Sequence, residues 1–209
     1  MSHSSLTRRL VLAGAATLAL SAGNAFAQAD CSLDTDPDTQ FDLMIFDTLD
    51  NLAAGPVAGP LVRTCGADSP TPGASYTLSA SAGELRSVQT YKGTPRHAIT
   101  TTASEGVLRI DGFAPNINSM SVTAYGSDAD GKYVPRTHLV LTVYAPDGSI
   151  IESRTFPGKT RHYSLGGTIS VPIGAFELKM LDPQPTVDKP VFPTIEALSV
   201  AHDYGMLPR

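Results

Sequence analysis

Lys, Arg, His and Tyr gather in three short segments of this chain. The first is Lys92-Gly93-Thr94-Pro95-Arg96-His97. The second is Lys132-Tyr133-Val134-Pro135-Arg136-Thr137-His138, and the third is Lys159-Thr160-Arg161-His162-Tyr163. These residue types hold anions. A guanidinium grips carboxylate or sulfate through paired N–H donors, and an ammonium adds a point charge. Tyr133 and Tyr163 could stack on a sugar ring. Convergence of the segments in the fold would make them one positive patch, suited to an acidic polysaccharide or an envelope protein. Dispersal would make them solvated strand ends, whose charges keep sheet edges from pairing. The candidate ligand-binding set is therefore Lys92, Arg96, His97, Lys132, Tyr133, Arg136, His138, Lys159, Arg161, His162 and Tyr163. The relative placement of Arg96, Arg136 and Arg161 decides between the two readings.

A second candidate is acidic. Asp34-Thr35-Asp36-Pro37-Asp38 alternates carboxylates in the way calcium loops do. It lacks the sixth-position Gly and twelfth-position Glu of an EF-hand, and Asp128-Ala129-Asp130-Gly131 lacks the first carboxylate. A solvated tail and an ordinary turn are the plainer readings. No His-rich spacing points to a transition metal, and no motif points to a cofactor. The chain has no Gly-x-Ser-x-Gly, His-Glu-x-x-His, phosphate loop or dinucleotide fingerprint. Glu84, Glu105, Glu152, Glu177 and Glu196 carry no local signature, although paired carboxylates for glycoside hydrolysis need not be close in sequence. The residue types thus favour a binding module over an enzyme. The enzymatic alternative is a lyase or hydrolase of sandwich fold acting on acidic polysaccharide, with Arg, His and Tyr in its site. A third class is an envelope structural or adhesion protein that uses an exposed strand edge.

The elements that must position these residues read as strands. Gly and Pro number 18 and 16 in 209 residues, and Trp is absent. Period-two alternation is clearest over Thr137 to Ala145, where Leu139, Leu141 and Val143 share one side. It recurs over Asn118 to Tyr125 with Met120, Val122 and Ala124. Strands are also expected over Phe41 to Phe46, Leu61 to Cys65, Arg86 to Lys92, His97 to Thr102, Val107 to Ile110, Ile150 to Phe156, Thr168 to Val171, Phe176 to Met180 and Glu196 to Ala201. Pro146-Asp147-Gly148-Ser149 is hairpin chemistry, because Pro presets φ and Gly accepts a positive one. Ala53 to Pro60 and Gly66 to Gly73 read as loops, and Pro183 to Pro193 as an extended crossover. About ten short strands, with turns about every 8–12 residues, predict a single all-β sandwich, jelly-roll or immunoglobulin-like. The closing stretch Ile195 to Val200 resembles that of galactose-binding-like jelly rolls in its apolar alternation alone.

The first 27 residues read as an address. Arg8-Arg9 precedes the uncharged apolar run Leu10 to Ala22, and small residues follow at Ala25 and Ala27. That is the grammar of a cleaved signal peptide. The run is shorter than the roughly 20 residues a membrane helix needs. The paired arginines resemble the twin-arginine signal of bacteria, so a secreted or periplasmic location is expected. Residues 28–75 then form an acidic, loop-rich segment belonging to one domain with 76–209. Without Arg8 and Arg9, the 15 basic residues become 13 against 20 acidic ones, a net of −7. Such a charge argues against binding nucleic acid or an anionic membrane through the overall field. Cys31 and Cys65 are the only cysteines. An oxidising compartment favours a bridge between them. Gln28-Ala29-Asp30 does not match the residues that precede a lipid-anchored cysteine.

Overall fold

The structure, a computed structural model, describes residues 31–34, 41–66, 75–90, 96–157, 162–165, 171–182 and 189–203. It is all-β across them. The strands are β1 Ser32–Asp34, β2 Phe41–Asp47, β3 Gly55–Val57, β4 Leu61–Thr64, β5 Ser75–Ala80, β6 Leu85–Gln89 and β7 His97–Thr101. They continue as β8 Leu108–Asp111, β9 Ser119–Ser127, β10 His138–Tyr144, β11 Ile150–Pro157, β12 His162–Leu165, β13 Ala175–Met180 and β14 Phe192–Asp203. No helix among the described residues is long and apolar enough to cross a membrane.

The alternation that predicts β10 is the alternation that packs it. Leu139, Leu141 and Val143 are buried while Val140, Thr142 and Tyr144 stay half-exposed. The hairpin to β11 forms as its residues dictate. Gly148 takes a φ of 84°, and the Asp147 carboxylate accepts from the Ser149 hydroxyl at 2.7 Å and its N–H at 2.9 Å. Those two bonds hold the Asp147 carboxyl below its ordinary pKa.

Two antiparallel sheets make a sandwich. One runs β11-β10-β13-β8-β5-β4. The other has the long β14 at its centre, with β9 and then β12 on one side. On its other side β14 pairs through its first half with β7, which leads to β6 and β3, and through its second half with β2, which leads to β1. The last eight strands pair in four nested couples: β7 with β14, β8 with β13, β9 with β12, and β10 with β11. That nesting is the jelly roll, the first of the two expected sandwich types. Its core packs Ile45, Ile99, Val122, Ile195 and Leu198 from one sheet onto Leu78, Ile110, Leu141, Phe176 and Leu178 from the other.

The described strands number fourteen rather than about ten. β3 lies inside the expected Ala53 to Pro60 loop. It pairs with β6 as an edge strand, the position in which a sheet tolerates a residue such as Pro56. β12 begins in the third basic segment and runs past it to Leu165, a strand that alternation alone did not mark. Val171 lies in a bend rather than a strand; residues 168–170 fall outside the described residues.

Two links tie the sheets together along one edge. Cys31 and Cys65 form the expected disulfide. Two residues before Cys65, Arg63 of β4 reaches across to Asp47 at the end of β2, with Nε at 2.8 Å from one carboxylate oxygen and Nη2 at 2.9 Å from the other. Tyr76 of β5 donates its hydroxyl to the same carboxylate at 2.7 Å. All three side chains are about 1 % exposed.

Candidate binding face

The floor of the site is the outer face of the β14 sheet. Register fixes its members, because directly paired residues share a face. Ser164 of β12 pairs with Ser121 of β9, Ser121 with Ser199 of β14, and Ser199 with Phe46 of β2. This row is small and polar, and ends in a Phe46 ring that is 46 % exposed. One step along, His162 pairs with Thr123 and Thr123 with Ala197.

β14 is irregular beside that second row. Its register against β9 jumps between Ile195 and Ala197, so Glu196 is the extra residue of a β-bulge. Ile195 and Leu198 both face the core, which leaves Glu196 and Ala197 on the outer side. The Glu196 side chain is 10 % exposed, and its Oε1 has no hydrogen-bond partner among the described residues. Among the described residues, Arg96 brings a cation near it, its Nη1 standing 4.0 Å from that oxygen. Arg96 precedes β7 and is held by its carbonyl, which accepts from the Thr90 N–H at 3.0 Å.

The β9–β10 connection, residues 128–137, roofs one half of this face. Asp128 starts the turn, its Oδ1 accepting from the N–H groups of Asp130 and Lys132 at 3.0 and 2.9 Å. Its carboxylate is thus engaged by backbone, and no group of three His, Cys, Asp or Glu among the described residues could hold a metal. The calcium alternative at Asp34-Asp38 falls mostly outside the described residues. Gly131, at φ 80°, lies directly against Val88 of β6. Arg86 of β6 donates to the Ala129 carbonyl at 3.3 Å. The loop therefore crosses from β9 to β6, and it explains why Tyr125, Thr194 and Thr100 are buried on an outer face. Tyr133 pairs with Ser127 and meets the Tyr125 ring edge-on, centroids 6.1 Å apart.

The three basic segments fare differently. Arg96, Tyr133 and His162, one from each, belong to this face. Lys132 and Arg136 are exposed on its roofing loop. His97 is used structurally: its N–H donates to the Asp50 carboxylate at 3.0 Å, and its Nδ1 lies 3.1 Å from the Asp50 carbonyl. His138 starts β10 in the opposite sheet, paired with Pro157. Tyr163 turns inward. It stacks on Phe156 at 5.9 Å, beneath the Arg154 guanidinium at 5.6 Å. Burial first, and then its hydrogen bond to Glu152, pushes its phenol up to about 12. That ring is not free to stack on a sugar. Lys92, Lys159 and Arg161 lie outside the described residues. Glu196 and Phe46 are the residues that sequence reasoning missed as site members. A signal did exist for Glu196: Ile195 to Leu198 is a three-residue step in an otherwise period-two strand.

The opposite sheet carries a second polar cluster. Arg109 bonds Asp111 and Glu177, each at 2.8 Å, and lies 5.7 Å above the Tyr144 ring. Tyr144 donates to Glu177 at 2.8 Å. Partial burial, followed by the Glu177 charge and bond, raises its phenol. The hydrogen-bonded carboxylates raise the Arg109 guanidinium. These groups engage one another, as a cross-strand ion-pair network does.

No protein-family model matches the chain, and no curated protein matches it. Among solved structures, it is similar to the family 32 carbohydrate-binding module from C. perfringens NanJ in complex with galactose. The TM-score is 0.39 at 15 % identity, over 60 % of this chain and 93 % of that one. It is also similar to a family two carbohydrate esterase from Cellvibrio japonicus, with a TM-score of 0.32 at 6 % identity over 60 % of this chain and 34 % of the other.

Proposed function

We propose that this chain is an exported, non-catalytic binding module for an acidic glycan, held on the outer face of the β14 sheet beneath the β9–β10 loop. The observation that carries the reading is placement on one sheet face: register sets His162 beside Thr123, a bridge sets Tyr133 beside Ser127, and Arg96 lies 4.0 Å from Glu196, so residues from three separate basic segments stand around one small-residue floor. Exposed Lys132 and Arg136 on the roof would add charge to a ligand lying across that floor. Phe46 offers an apolar ring at its far side. Focused positive charge on a net-acidic domain raises the local anion concentration, and salt screens the effect. The removed leader and a periplasmic or secreted location belong to the same proposal. The test is retention on immobilised polygalacturonate, with uncharged dextran as the control. The parent should bind at low salt and elute as salt rises. Replacing Arg96, Lys132 and Arg136 together with Gln should abolish retention without shifting the melting temperature. A triple variant retained like the parent, or a parent that never binds, overturns the reading.

A further inference from the structure

Glu196 is a buried carboxylate whose Oε1 has no hydrogen-bond partner among the described residues. A carboxylate buried without a full set of hydrogen bonds is costly. This one sits nine-tenths buried at the centre of the larger sheet, aimed by a bulge onto the face described above. Bulges recur where a strand must re-aim a side chain next to a site. Arg96 does not satisfy it, since 4.0 Å is beyond hydrogen-bond reach. One carboxylate also supplies too few oxygens for calcium.

We propose that Glu196 and Arg96 together form a hydroxyl-reading subsite for a sugar. A ligand hydroxyl donates its proton to Oε1 of Glu196, and its oxygen accepts from the Arg96 guanidinium. Oε1 is itself closed to solvent here, so the ligand's oxygen reaches it only as the Arg96 side chain moves aside, and then lies within hydrogen-bond distance of both groups. The Arg96 side chain is 59 % exposed, which leaves it room to swing as the ligand enters. The floor beside the pair is Ala197 and Thr123, small enough for a ring to approach the backbone. An acidic glycan carries neutral hydroxyls on every ring, so the cations would read its charge and Glu196 its hydroxyl pattern. This subsite deepens the glycan reading and rests on it.

The sign of one substitution separates a subsite from a bystander. Calorimetric titration uses oligogalacturonate and its carboxyl-reduced, neutral counterpart. Glu196→Gln keeps the shape and removes the negative charge. In a working subsite it weakens both ligands tenfold or more, and Arg96→Gln does the same. If Glu196 only repels a polyanion, Glu196→Gln leaves the neutral oligomer unchanged and tightens the acidic one, which overturns the proposal. Glu196→Asp retains the charge but withdraws it by a methylene, and it should weaken binding at an unchanged melting temperature. A parent that binds the neutral oligomer better than the acidic one refutes the acidic-glycan reading and leaves the subsite standing. A parent that binds neither refutes both.

Discussion

Arg63 is the first cation after a long acidic stretch, and the fold spends it deep in the interior. Its guanidinium donates twice to Asp47 and once to Asn51, at 2.8, 2.9 and 2.8 Å. Asp47 also accepts from the Leu49 N–H at 2.7 Å, so it anchors Leu49, a non-glycine residue held at φ 58° with its side chain fully buried. Arg63→Met removes the positive partner and leaves a carboxylate buried between two neutral donors. Breaking a buried pair in this way costs about 3–5 kcal/mol. For a chain of this size, at about 2–4 °C per kcal/mol, the melting temperature should fall by about 6–20 °C. The triple variant Arg63→Met, Asp47→Leu, Tyr76→Phe empties the network of charge and should recover at least half of that loss, because no lone charge remains buried. Denaturant titrations of the parent, single and triple variants measure all three. A single variant costing under about 1 kcal/mol, or a triple variant no better than the single, refutes the view that an uncompensated charge dominates here.

The same network sets an alkaline limit. Burial, followed by the Asp47 charge and hydrogen bond, raises the Tyr76 phenol well above its ordinary 10.0. The folded state therefore keeps this proton longer than the unfolded chain. The resulting stability is whole below about pH 10 and is lost as pH rises through the folded pKa. Tyr163, pushed up to about 12, adds a like component between about pH 10 and 12. Tyr76→Phe should flatten the alkaline limb of the stability curve only in part. An unchanged limb would mean that Tyr76 titrates as an exposed phenol.

Reducing the Cys31–Cys65 bond, which closes a separation of 34 residues, should lower stability by about 3–4 kcal/mol. Paired denaturation curves with and without reductant measure this, and coincident curves would show that the closed loop does not constrain the unfolded chain. Gly131→Ala forces a side chain onto φ 80° and into Val88. It should cost about 1–3 kcal/mol and weaken polygalacturonate retention by lifting the β9–β10 roof, and Val88→Ala should restore part of both. Full retention by Gly131→Ala would separate the roof from binding.

Periodicity reads facing within one strand, and the legible parts of the fold are those that need nothing more. Leu139, Leu141 and Val143 could be placed in the core from their spacing, and so could Met120, Val122 and Ala124. β3 was hidden because Gly55 and Pro56, which pair with Ser87 and Arg86, are residue types that carry no strand signature. Nothing local to Arg63 reveals its burial, because Asp47, sixteen residues earlier, ends directly across the sandwich from it.

The candidate face shows the same limit more sharply. A jelly roll's nested couples set residues 96, 123, 162 and 196 side by side, so no window of sequence contains the face. The basic segments were visible because their members are adjacent in the chain, yet adjacency in a strand sends side chains to opposite faces. His162 and Tyr163 show the consequence. His162 pairs with Thr123 on the outer face, while Tyr163 pairs with Val122 in the core. A cluster of like residues along one strand can therefore give a surface only every second member. The rest of that surface has to come from neighbouring strands, and in this fold it comes from Arg96 and Glu196.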